Sequence, residues 1–213
     1  MAKPSLQSLL ILLSLFSTLA PVEPSSMAKN SQKRAFIEAS CKTTRYPDLC
    51  LRCLAKFANT NYTIETPQQL AHVALSVSLS RSLYTRAYLL KVAKEFKAVK
   101  NGIEYQIIQD CLRQINDSVD QLGLSIKELR RLNRNSNVDD VLWHISNVET
   151  WVSTALTDAS TCVGSFPGHR MSKTKAAIKV KALNVAQVTS NALALFHKYA
   201  TRYRAAARAA RKP

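Results

Sequence analysis

Glycine is scarce in this chain, with 4 residues in 213, and no proline falls between Pro67 and Pro167. Sandwiches and barrels need both at their turns, so this shortage argues for long helices. Histidine is thin as well: His72, His144, His169 and His197 stand apart, without the spacing of a metal site or a catalytic triad. No Gly-rich phosphate loop and no nucleophile constellation is present. These absences point away from an enzyme and from any bound metal or cofactor, and leave binding as the expected activity. Only one long apolar run exists, Leu9 to Ala20, which is too short to span a bilayer. Acid is missing from the last quarter, where no Asp or Glu follows Asp158.

That apolar run sits behind Lys3 and ahead of the small, turn-prone residues Pro21 to Ser26. The layout is that of a secretory signal peptide covering residues 1–25, with cleavage expected between Ala20 and Ser26. A secreted address permits disulfides. Five cysteines are present, Cys41, Cys50, Cys53, Cys111 and Cys162, so one thiol is left over. Spacing alone does not choose among the pairings. Zinc fits poorly, because the spacings are irregular and no histidine lies near a cysteine pair. The sequons at Asn61 and Asn116 are compatible with glycosylation, although Asn116 falls inside an expected helix.

The net charge is +16, concentrated toward the end of the chain in Arg170, Lys173, Lys175, Lys179, Lys181, Lys198, Arg202, Arg204, Arg208, Arg211 and Lys212. Such a field attracts polyanions, or else serves solubility as a solvated helix face. For a secreted chain nucleic acid is not the expected polyanion.

Helix signals dominate. A short helix is expected from about Ser31 to Cys41, and a second from Pro47. Thr66-Pro67-Gln68-Gln69 reads as a capping box opening a helix that runs to about Lys100. Within it Val73, Leu75, Val77 and Leu79 alternate in a strand-like way, but the length free of Gly and Pro favours helix. Ile108, Leu112, Ile115, Val119, Leu122, Ile126 and Leu129 step by four and three, the seam of a bundle helix. Val141, Ile145, Val148, Val152, Ala155 and Ala159 repeat the pattern, and so do Ile178, Ala182, Val185, Ala192, Phe196 and Tyr199. The fold class expected is all-α: an antiparallel four-helix bundle preceded by a helical hairpin. Trp143 and Trp151 read as anchors at the bundle edge. Asp117 and Asp120 flank the seam residue Val119, and Asp158 lies one turn before Cys162, near Thr161. A Cys111–Cys162 pair, if formed, clamps their helices side by side.

Three stretches together resemble the plant invertase and pectin methylesterase inhibitor family. They are Cys41-Lys-Thr-Thr-Arg-Tyr-Pro-Asp-Leu-Cys50; Asp110-Cys111 with Asp117-Ser-Val-Asp-Gln-Leu122; and Trp151-Val-Ser-Thr-Ala-Leu-Thr-Asp158 with Thr161-Cys162. The resemblance covers about Ser31 to Tyr199, and we place the inhibitor domain at 31–203 with a basic tail at 204–213. It implies disulfides Cys41–Cys50 and Cys111–Cys162, a free Cys53, and a secreted inhibitor acting in the cell wall or apoplast. The resemblance implies Asp117, Asp120, Asp158 and Thr161 as partner contacts. Invertase inhibitors of the family carry a Pro-Lys-Phe element near the start of the fourth bundle helix, where this chain reads Arg134-Asn-Ser-Asn-Val-Asp-Asp140. The expected target is therefore pectin methylesterase, held in a one-to-one complex that plugs its pectin cleft. Invertase is the alternative target, and a pectin-binding wall protein without inhibitory activity is a further one. Two family contact positions differ: Arg113 and Gly164 stand where acidic residues are usual. Demethylated pectin is the polyanion expected to meet the basic C-terminal helix.

Overall fold

The computed structural model describes residues 26–60, 62–96, 102–132, 137–166 and 171–210. The expected leader, the sequon residue Asn61, Arg134 to Ser136, Pro167 to Arg170, and Arg211 onward lie outside the described residues. The elements are α1 (Ser26–Cys41), α2 (Pro47–Leu54), a 3-10 turn (Ala55–Asn59), α3 (Pro67–Glu95), α4 (Ile103–Arg131), α5 (Val138–Gly164) and α6 (Lys173–Ala210). No strand occurs among the described residues.

α3 begins where its capping box places it. The Thr66 hydroxyl accepts from the Gln69 amide at 3.2 Å, and Gln69 Oε1 accepts from the Thr66 amide at 3.0 Å. Two otherwise orphaned donors of the first turn are satisfied reciprocally. Neighbouring long helices pack in the cycle α3–α4–α5–α6 and back to α3, so the α4–α5 face and the α3–α6 face lie on opposite sides. The expected seams form the interior: Ile115, Leu122, Ile145, Val148, Val152, Ile178, Val185 and Phe196 have no exposed surface. Burying each such apolar side chain stabilises the fold by roughly 1.5–3 kcal/mol before entropy is counted.

The interior is not uniformly apolar. Its hydrophobic residues fall into two clusters, one toward the α1–α2 hairpin and one toward the far end. Ser78, Ser82, Thr85, Ser118 and Thr189 are buried polar residues of the same four-helix interior. The Ser78 and Thr189 hydroxyls hydrogen-bond at 3.0 Å, while Ser82 and Thr85 donate back to the carbonyls of Ser78 and Arg81. The strand-like alternation in α3 is divided by this packing: Val73 and Leu75 are buried in the core with Ala71, Ala74, Ser78 and Ser82, while the half-buried Val77 and Leu79 pack along its flanks.

The hairpin is fixed in two ways. Cys41 and Cys50 are bonded with their Cα atoms 5.5 Å apart. Buried Asn191 of α6 accepts from the Tyr46 amide at 3.0 Å and donates to the Tyr46 carbonyl at 2.9 Å, serving both backbone groups of the α1–α2 connection. Cys53 is buried and unbonded. α6 continues beyond residue 203 to Ala210, and Arg204 is tied to Glu149 of α5.

Candidate functional site

A second disulfide joins Cys111 of α4 to Cys162 of α5, with Cα atoms 4.6 Å apart and both residues fully buried. It clamps the start of α4 to the end of α5. Around it lie the sequence candidates: Thr161 beside Cys162, Asp158 one turn before it, and Asp117 and Asp120 roughly two turns along α4 from Cys111. The structure divides them. Asp117 leans toward α5, and its charge reaches Asp158. Asp120 lies on the α3 side, lining a groove with Leu79, Leu83 and Arg86 of α3 and with Gly123, Leu124 and Lys127 of its own helix. Thr161 is exposed one turn beyond Asp158, and its hydroxyl donates to the Thr157 carbonyl at 2.9 Å.

Asp158 is the unsettled residue of this face. Its Oδ2 is buried and has no hydrogen-bond partner, as is true of Ser118 Oγ and Gln121 Oε1 on the facing helix. Burial pushes the Asp158 carboxyl above the usual aspartate range, and the nearby Asp117 charge raises it further. A carboxylate left without a donor is costly in the isolated protein. An incoming hydrogen-bond donor or cation relieves that cost.

The surroundings carry a signal that motif reading missed. α5 contains no Lys or Arg along its 27 residues, in a chain of net charge +16. Its outer surface is tiled with Ser146, Thr150, Ser153, Thr154, Thr157, Ser160 and Thr161, all exposed. The hydroxyls of Thr154, Thr157, Ser160 and Thr161 are turned back onto carbonyls one helical turn earlier. Short, self-satisfied side chains make a flat surface that loses little rotamer entropy when covered. Reading α5 for missing cations would have found it from sequence.

At the other end of the face, Glu128 is 2 % exposed and fully engaged. One of its oxygens meets His144 Nδ1 at 2.6 Å and Asn147 Nδ2 at 3.0 Å from α5, and the other accepts from Arg131 at 3.0 Å. Burial pushes this carboxyl up, but the hydrogen bonds from Asn147 and His144 and the charges of His144 and Arg131 outweigh it and hold the group below the usual range. The face is thus locked by a disulfide at one end and a buried polar network at the other. Trp143, expected as an edge anchor, is 61 % exposed and meets the His144 ring edge-on, whereas Trp151 is half-buried.

Arg113 is an exposed residue ion-paired with Asp110 at 2.9 Å, and Gly164 closes α5. Asn116 is half-buried in α4 and the hydroxyl residue of its sequon, Ser118, is fully buried. No cluster of metal-ligating side chains occurs among the described residues.

A family model described as plant invertase/pectin methylesterase inhibitor matches residues 35–195. "Pectinesterase inhibitor 9" of Arabidopsis thaliana is 40 % identical over 196 residues, covering 92 % of this chain and 95 % of that protein. "Pectinesterase inhibitor 11" of the same plant is 35 % identical over 206 residues, 95 % of this chain and all of its own length. Among solved structures, a mutant form of a pectin methylesterase inhibitor from Arabidopsis superposes with a TM-score of 0.56 at 18 % identity, over 76 % of this chain and 95 % of that one. That likeness concerns the fold.

Proposed function

This chain belongs to the plant invertase/pectin methylesterase inhibitor family, and from that premise we propose that it inhibits pectin methylesterase by laying its α4–α5 face across the enzyme's pectin cleft in a one-to-one complex. It is an inhibitor and performs no catalysis. The observation that carries this reading is the composition of that face: a helix without cations, tiled with hydroxyls, locked to its neighbour, and holding a buried carboxylate oxygen in need of a donor. At 1.5 Å per residue α5 is about 40 Å long, and two packed helices make a strip about 20 Å wide. The resulting area of about 800 Å² is one partner's share of a standard specific interface.

Within the footprint Asp117, Asp158 and Thr161 contact the enzyme directly, and Asp120 meets it at the α3 edge. The acidic balance of the face suits a target surface presenting Lys, Arg or backbone N–H groups. Two disulfides suit an oxidising compartment, which supports an extracellular, cell-wall location. Demethylated pectin is a second partner in this reading, held by the basic residues of α6, which contains no Asp or Glu.

The test is titration of the purified protein into a pectin methylesterase assay that follows methanol release, beside a sucrose-hydrolysis assay with invertase. Stoichiometric loss of methanol release with sucrose hydrolysis untouched is the expected result. Unchanged methanol release across several esterase isoforms overturns the reading, and inhibition of invertase alone transfers it to the other branch of the family.

A further inference from the structure

Charge is segregated across the bundle. α4 and α5 carry nine Asp or Glu against four Lys or Arg, whereas α3 and α6 carry twelve Lys or Arg against the single Glu95. These two helix pairs form opposite faces, so the side turned away from the proposed enzyme footprint is strongly positive. A field of that size concentrates polyanions at the surface.

The positive face also has a local structure. Arg81, Tyr84, Tyr88 and Lys91 follow one another on α3 at steps of three, four and three residues, which stacks them in one stripe about 15 Å long. Tyr84 is 61 % exposed, Tyr88 is half-buried, and Arg81 and Lys91 are exposed. From α6, the Lys181 ammonium lies 4.5 Å from the Tyr84 ring centre and 4.8 Å from that of Tyr88. A lysine held over two tyrosines is oriented before any ligand arrives, so its donors cost little to aim. None of Arg81, Lys91 and Lys181 is ion-paired among the described residues. Glu95, one turn beyond Lys91, is the acidic residue that closes the stripe.

We propose that this stripe is a binding site for an acidic polysaccharide chain, with Lys181, Arg81 and Lys91 taking carboxylates while Tyr84 packs against a sugar ring. The proposal deepens, and rests on, the reading that demethylated pectin is a partner of this protein. It narrows the contact from the basic residues of α6 at large to a defined row at the α3–α6 junction. It also has a geometric consequence. Because the stripe faces away from α4–α5, the protein holds polyuronate and enzyme simultaneously, and the wall polymer does not compete with inhibition.

The experiment uses the full secreted chain on immobilised polygalacturonate, eluted with a salt gradient, with a sulfonate cation exchanger run in parallel. Compared are the wild type, Tyr84→Ala, the pair Arg81→Gln with Lys91→Gln, and a chain truncated after Tyr203. Both stripe variants are expected to elute at lower salt from polygalacturonate. Tyr84→Ala is expected to match the wild type on the sulfonate resin, because it removes no charge. All stripe variants keep wild-type helicity and inhibit pectin methylesterase as the wild type does. If Tyr84→Ala elutes with the wild type from polygalacturonate, the site is refuted and only diffuse charge remains. If only the truncated chain loses retention, pectin binding survives but belongs to the tail. A wild type that is not retained at all refutes the pectin reading, while the inhibition assay still reports separately on the enzyme.

Discussion

Replacing Asp158 with asparagine should make this protein more stable and a poorer inhibitor, and both effects follow from the same oxygen atom. In the free protein Asp158 Oδ2 is buried without a partner and faces the charge of Asp117. An unsatisfied buried polar group costs about 1–3 kcal/mol, and the half-exposed state of this residue places it at the low end of that range. The amide in Asp158→Asn keeps the shape and removes the like-charge repulsion. The expected gain is about 1 kcal/mol at pH 7, read from urea midpoints at constant slope. Its pH dependence has a definite sign. The folded-state value of Asp158 is raised, so the fold suffers from this group only where it is ionised. Wild-type stability relative to the variant is therefore fully recovered below the ordinary value of 3.8 and is lost as pH rises through the raised one. The two proteins should converge near pH 3 and diverge by neutrality. In the esterase assay Asp158→Asn should weaken inhibition by at least tenfold, since a desolvated charged contact at an interface is worth about 2–5 kcal/mol. A variant less stable at pH 7 refutes the account of the unpaired carboxylate. One that is more stable and equally potent refutes Asp158 as a contact.

Glu128→Ala removes the acceptor shared by His144, Asn147 and Arg131. It should cost about 2–3 kcal/mol at pH 6, below the full cost of orphaning a buried pair because Arg131 is half-exposed. Since Glu128 is held below its usual 4.5, its contribution is present above that value and is lost as pH falls through the lowered one, so the variant's stability should fall less on acidification. Cys111→Ser with Cys162→Ser opens a closed loop of 51 residues, for which chain entropy gives about 4 kcal/mol. Thermal melts should show the loss, and inhibition should weaken beyond what the folded fraction explains, because the two sides of the face lose their shared register. Thr161→Arg puts bulk and charge on the hydroxyl-tiled surface. Helicity by circular dichroism should be unchanged while inhibition falls at least tenfold, on the order of 1.4 kcal/mol or more.

The bundle was legible because each seam is a periodic signal that packing cannot disguise. Ile108 to Leu129 and Val141 to Ala159 are buried at every expected position, and the Thr66–Gln69 cap forms with both of its hydrogen bonds. The polar belt was not legible. Ser78, Ser82, Ser118 and Thr189 look like surface residues until four helices bring them to the same depth. The acidic candidates were legible as residues but not as an arrangement. Asp117 and Asp120 are three positions apart, which on a helix separates them by about 60° around the axis. That rotation sends one toward Asp158 and the other into the groove beside Leu83. Which way each turns depends on where α3 and α5 sit around α4, and no spacing rule within α4 contains that information. The Glu128 network escaped for the same reason, since Glu128 and His144 meet only across two helices.

The distribution of flexible and rigid side chains explains why a protein this basic presents a cation-free helix. Lysine and arginine each lose up to about 2 kcal/mol of rotamer freedom when an interface fixes them, whereas serine and threonine lose far less. A face built from α5 therefore keeps more of its contact energy as affinity than one built from α3 or α6 does. Its rigidity is secured from behind. Cys111–Cys162 and the Glu128 network fix α5 to α4, and Glu149, bonded to Arg204 and His197, fixes it to α6. Long cations would blur that surface, and α3 and α6 carry twelve of them against four on α4 and none on α5; on the proposed reading that side meets a repetitive polymer, which rewards charge and reach more than shape. On that reading, the division of charge between the faces is a division between two kinds of binding. If the stripe on α3 were instead part of the enzyme contact, the twelve cations of α3 and α6 would have to be ordered or displaced on docking. The complex would then show steep salt dependence. A shallow dependence of inhibition on ionic strength, beside a steep one for polygalacturonate retention, is the pattern that the opposed faces require.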